Sequence, residues 1–117
     1  MRERLYDYCG GRPDFVLGMT REKISLPLQG QPTCLAARIE GKSSRARFGL
    51  LVHFTAPTVH PGWCGPLTLE MINLGPADIL LVPGMAIAQL IVEEVRGCPK
   101  RNPSEFQDQA SPSGGAK

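Results

Sequence analysis

Two short stretches of this 117-residue chain carry side chains suited to chemistry. In Gly41-Lys42-Ser43-Ser44-Arg45-Ala46-Arg47-Phe48-Gly49, two hydroxyls and three cations fall within six residues. A serine N-cap, helix-tolerant residues behind it and Gly49 as a stop predict one helical turn over 43–48. Its N–H groups, hydroxyls and cations would suit an anion such as phosphate. A solvated surface turn is the other reading of the same residues. In Leu67-Thr68-Leu69-Glu70-Met71, alternation predicts a strand with Leu67, Leu69 and Met71 on one face and Thr68 and Glu70 on the other. Glu70 is then either a solvated strand-face carboxylate or, if set in a cleft, a proton acceptor.

The histidines and cysteines offer less. Cys9, Cys34, Cys64 and Cys98 are spaced 25, 30 and 34 residues apart with no Cys-x-x-Cys. Neither His53 nor His60 has cysteine partners at a spacing that holds zinc. Reduced cytoplasmic thiols fit these cysteines better than a disulfide framework. Cys64 has no base at a recognisable spacing to activate it. His53 reads as a packing residue on a strand, and Trp63 as wall or core.

The elements that must position these groups read as all-β. Strands are expected over 15–19, 23–26, 34–39, 50–55, 67–72, 79–82 and 86–95, with turns at Pro61-Gly62, Leu74-Gly75-Pro76 and Pro83-Gly84. Glycine and proline supply 24 of 117 residues, scattered as turn-formers between short elements. No long 3.6-residue apolar period runs through the chain, so a sandwich or barrel is expected rather than a helical fold. One domain of residues 1–97 and a tail of residues 98–117 are expected. The tail is rich in Pro, Ser, Gln and Gly. It is either loose or a flap over a ligand, with Phe106 and Gln109 as the residues a flap would use. The net charge is +2, with no run of five like charges, which argues against a nucleic-acid partner. The aliphatic run at residues 79–82 is far too short for a bilayer, and residues 1–7 do not read as a signal peptide, so no membrane partner and a cytoplasmic location are expected.

Several stretches, in order, resemble the deoxycytidine triphosphate (dCTP) deaminase branch of the deoxyuridine triphosphatase (dUTPase) superfamily. They are Gly41-Lys42-Ser43-Ser44 with Arg47-Phe48-Gly49-Leu50, then Val52-His53-Phe54-Thr55-Ala56. Pro61-Gly62-Trp63, Gly65-Pro66-Leu67-Thr68-Leu69-Glu70 and Asn73 follow, then Pro83-Gly84-Met85 and Ile87-Ala88-Gln89-Leu90. Gln107-Asp108-Gln109-Ala110 with Pro112 resembles the closing tail, so the likeness runs from about Phe15 to Pro112. The resemblance implies a distorted β-barrel or jelly-roll, the dUTPase-like β-clip, assembled as a homotrimer with active sites at subunit boundaries. It also implies dCTP as substrate, carried with Mg2+ on its triphosphate, and no zinc. Glu70, Ser43 and Arg47 fall on the family's catalytic positions, and Lys42 and Ser44 on triphosphate-contacting ones. Thr68 and Leu69 match the stretch along the pyrimidine and sugar. Gln109 matches a tail glutamine that closes on the phosphates.

The chemistry suits these residues. Zinc deaminases activate water with a metal held by a His or Cys and a Pro-Cys-x-x-Cys pair, next to a His-x-Glu, and this chain contains neither motif. A carboxylate must then act as general base, with a guanidinium favouring its ionised form and a hydroxyl donating to the attacking oxygen. The expected reaction is dCTP plus water giving dUTP plus ammonia. Three features depart from the pattern: a shorter N-terminal side, His60 where the family has a sugar-contacting aspartate, and Glu105 where it has a phosphate-facing lysine. Lys42 for arginine is a milder change. These departures favour a second reading, a catalytically weakened nucleotide-binding trimer; a dUTP diphosphatase or bifunctional enzyme is a third, against which His60 counts.

Overall fold

The computed structural model describes residues 3–5, 15–28, 33–53, 55–97, 99–101 and 104–113. In chain order the elements are β1 (Glu3–Leu5), β2 (Val16–Ser25), β3 (Thr33–Gly41), α1 (Ser43–Ala46), β4 (Leu50–Val52), β5 (Thr58–Val59), β6 (Cys64–Asn73), β7 (Ile79–Leu81) and β8 (Ala88–Arg96). The chain is all-β with one short helical turn, as expected. Two antiparallel three-stranded sheets, β2-β6-β4 and β5-β3-β8, are accompanied by a β1–β7 ribbon.

The alternation in β6 does what the sequence predicts. Leu67, Leu69 and Met71 are buried, and join Leu50 and Val52 of β4 against Ala37, Ile39 and Val59 of the other sheet. Thr68, Glu70 and Ile72 are left on the outer face, half-buried. By register, Leu17 and Met19 of β2 lie opposite Glu70 and Thr68, and Leu51 of β4 lies opposite Ile72.

Several expected boundaries shift. The two strands expected over 15–19 and 23–26 are one strand, β2, with a register irregularity between Met19 and Lys23. Thr20 makes the join: its hydroxyl donates to Glu22 O at 2.8 Å and accepts from Leu67 N at 2.8 Å. Pro66, with no N–H to give the ladder, pairs with Lys23 beside that irregularity. The strand expected over 50–55 stops at Val52, because His53 takes φ 62 and turns the chain away. β1 and β5 were not expected from the sequence; both are held by pairing with distant strands.

The turn before β4 forms, with a correction. Lys42, not a serine, is the N-cap, and it makes no side-chain capping bond. Gly49 ends the turn as expected, at φ 97, with its N–H donating to Ala46 O at 2.9 Å. A helix of four residues has little macrodipole, so the positive character of this turn comes from Lys42, Arg45 and Arg47 themselves.

Candidate active site

A cleft of about 800 Å³ opens beside the Thr68–Glu70 face of β6. Leu17, His53, Ala56, β5 with the turn that follows it to Trp63, and the tail around Phe106 form its other walls. Glu70 is fixed from both sides of its residue. Its carbonyl accepts from His53 N at 2.6 Å, extending the β4–β6 ladder by one step, and its carboxylate Oε2 accepts from Thr55 Oγ1 at 2.5 Å. Oε1 makes no hydrogen bond to the described residues.

His53 also lines the cleft. Its Nε2 lies 2.5 Å from Ala56 O, and because a carbonyl only accepts, Nε2 carries the proton. Nδ1 is buried with no partner among the described residues. The expected packing role therefore describes one ring nitrogen and not the other. His60 is exposed at the rim, and Glu105 lines the wall contributed by the tail.

Residues 104–113 lie along the start of β6. Cys64 N donates to Gln107 Oε1 at 2.6 Å, Gln107 Nε2 to Gly62 O at 2.8 Å, and Asp108 N to Cys64 O at 3.0 Å. Gln109 is 7% exposed, with Nε2 donating to Pro66 O at 3.0 Å and Oε1 3.2 Å from Thr68 Oγ1. The Thr68 hydroxyl also reaches Pro112 O at 2.9 Å, so its one proton is shared between two acceptors of the tail. Both ends of the Gln109 amide are thus occupied by β6.

Of the residues singled out from the sequence, Glu70, Thr68, His60 and Gln109 come together at the cleft. Leu69 does not: strand alternation turns its side chain into the core, 6% exposed, and leaves only its backbone to lie along a ligand. Lys42, Ser43, Ser44 and Arg47 are not among the lining residues either. The Gly49–Leu74 contact at the end of their turn is four strand positions from the His53–Glu70 pair, roughly 13 Å at the usual rise. Thr55 and Gln107 are the residues that sequence reasoning missed. Thr55 sits in the family-like His53-to-Ala56 stretch, but nothing local marks a hydroxyl as the partner of a carboxylate 15 positions away.

Comparison with known proteins decides the family. The profile of the dCTP deaminase-like family matches residues 11–95. The chain belongs to that family. It is 41% identical over 104 residues to a dCTP deaminase of Halorubrum lacusprofundi, covering 85% of this chain and 49% of that protein. It is 43% identical over 106 residues to a dUMP-forming dCTP deaminase of Mycobacterium leprae, covering 85% and 53%. A dUMP-forming dCTP deaminase of Coprothermobacter proteolyticus is 41% identical over 103 residues, with 86% and 53% covered. The chain spans about half the length of the curated relatives it matches. No helix among the described residues is long and apolar enough to cross a membrane.

Proposed function

We propose that this chain deaminates dCTP hydrolytically, with Glu70 as general base, in a site completed by Ser43 and Arg47 of a neighbouring copy in a homotrimer. The observation that carries this reading is the separation of charge. The described residues lining the cleft include the carboxylates Glu70 and Glu105 and no Lys or Arg. The described residues lining the cleft supply no cation for a triphosphate. The cations and hydroxyls suited to phosphate, Lys42, Ser43, Ser44 and Arg47, lie beyond the far end of β4. A second copy that brings its turn over 42–47 to this cleft would join the two halves. Leu17, Met19 and Leu51, at 36%, 39% and 40% exposed on the Glu70 face of the sheet, supply apolar surface for such a contact.

In this site the Glu70 carboxylate takes a proton from water as the oxygen attacks C4 of cytosine. Glu70 passes that proton to the ring nitrogen, Arg47 stabilises the negative charge that develops, and Ser43 donates to the attacking oxygen. Glu70 then takes the remaining proton of the added hydroxyl and gives it to the amino group, so that the C4–O double bond forms as the C4–N bond breaks and ammonia leaves. No zinc step is included, a reading supported by the missing His-x-Glu and Pro-Cys-x-x-Cys motifs. The substrate carries Mg2+ on its triphosphate, with Lys42 and Ser44 on the phosphates and Thr68, the Leu69 backbone and His60 along the nucleoside. Gln109 reaches the phosphates only if the tail lifts from β6. The product is dUTP, or dUMP if the chain shares the further hydrolysis named for some of its relatives.

Ammonia release from dCTP and Mg2+, measured for the unmodified chain and for Glu70→Gln, tests this. Release by the first and at least a hundredfold loss in the second is expected for removal of a general base. Equal release by both would remove Glu70 from its role. Pyrophosphate appearing with the ammonia would mark the dUMP-forming variant. The acidic wall at Glu105 and the rim histidine His60 favour one other reading, a trimer that binds the nucleotide without turning it over, and tight dCTP binding with no ammonia would select it.

A further inference from the structure

We infer that Thr55 is a positioning residue for the Glu70 carboxylate, a role that rests on Glu70 being the base. The loop after β4 is pinned at several points. His53 N donates to Glu70 O, the His53 ring donates to Ala56 O, and Pro57 O accepts from Ile39 N at 2.9 Å. The left-handed backbone at His53, φ 62, sets the direction in which this loop leaves the strand, a conformation that costs a non-glycine residue about 1–3 kcal/mol and survives where neighbours hold it. The consequence is that Thr55 presents its hydroxyl to Glu70 Oε2 across 15 residues of chain.

A hydroxyl has one proton, and here it goes to one carboxylate oxygen. That bond fixes the rotation of the carboxylate plane and leaves Oε1, which makes no hydrogen bond to the described residues, as the oxygen to accept a proton from water. The competing account is that the bond merely ties down the loop. It differs in what it predicts: a tether would affect folding and substrate affinity, whereas a positioning bond affects turnover.

The test uses Thr55→Val, which keeps the shape and removes the hydroxyl, and Thr55→Ser, which restores it. Thr55 is exposed, so both variants should fold, and the amide resonance of His53 reports whether the loop is intact. In Thr55→Val, kcat should fall about tenfold with KM changed less than about twofold, and Thr55→Ser should return kcat to within about threefold. Unchanged kcat in Thr55→Val, or a loss in KM alone, overturns the role. The 13Cδ resonance of Glu70 gives a readout that needs no turnover. It should move in Thr55→Val and stay in place in Thr55→Ser, and a resonance indifferent to both overturns the contact. An unmodified chain that releases no ammonia would instead defeat the deaminase reading, with the carboxyl resonance still deciding whether Thr55 holds Glu70.

Discussion

Gly65→Ala tests how the tail comes to form a wall of the cleft. Gly65 has φ 135, a backbone region that costs a residue with a side chain about 1–3 kcal/mol. A Cβ added there would lie 2.9 Å from Asp108 N and 3.1 Å from Asp108 Cα. Both are backbone atoms, so no rotamer change relieves the clash and the tail itself must move. Opposing that movement are the bonds from Cys64 N, Gln107 Nε2, Asp108 N and Gln109 Nε2. At about 0.5–1.5 kcal/mol each, they hold the tail by a few kcal/mol, comparable to the clash. The tail should therefore lift while the core stays folded. Hydrogen exchange should show lost protection at the Asp108 and Cys64 amides with Leu69 and Met71 unchanged, and urea unfolding should show a loss of about 2–4 kcal/mol. In a chain lacking residues 104–117 the same substitution should cost only its backbone part, so the cycle of single and double changes should show coupling of at least about 1 kcal/mol. Additive costs, or an Asp108 amide as protected as in the unmodified chain, would refute the claim that the tail's seat depends on Gly65.

Two further outcomes follow from the charge separation and the core. If each site joins Glu70 of one copy to Arg47 of another, Glu70→Gln and Arg47→Ala should each be inactive alone, while a reassembled equal mixture should regain about a quarter of the sites; a mixture as inactive as its parents would place both groups in one subunit. Met71, 3% exposed, fills the core beneath Gly18, so Met71→Ala should cost about 2–5 kcal/mol in urea unfolding. Gly18→Ala should cost far less, since the atom its Cβ meets is the flexible Met71 Cε.

The alternation Leu67-Thr68-Leu69-Glu70-Met71 determined by itself that Glu70 stands on an outer face, because the period of two in a strand is a local property. Gly49 likewise marked the end of the helical turn, since its positive φ is a matter of one residue. The motif order pointed to the family before any geometry was available. Tertiary structure alone decided the rest. That β2 is one strand depends on Thr20 reaching Leu67, and that β4 stops at Val52 depends on how His53 is held. The tail motif aims Gln109 at phosphate, yet in this chain its amide is bound to Pro66 and Thr68, more than 40 positions away. Thr55 likewise meets Glu70 only through the fold, 15 positions along the chain. Hydrogen bonds between residues far apart in sequence leave no periodicity or turn signal, and a side chain's partner is fixed only when the sheet brings both ends together.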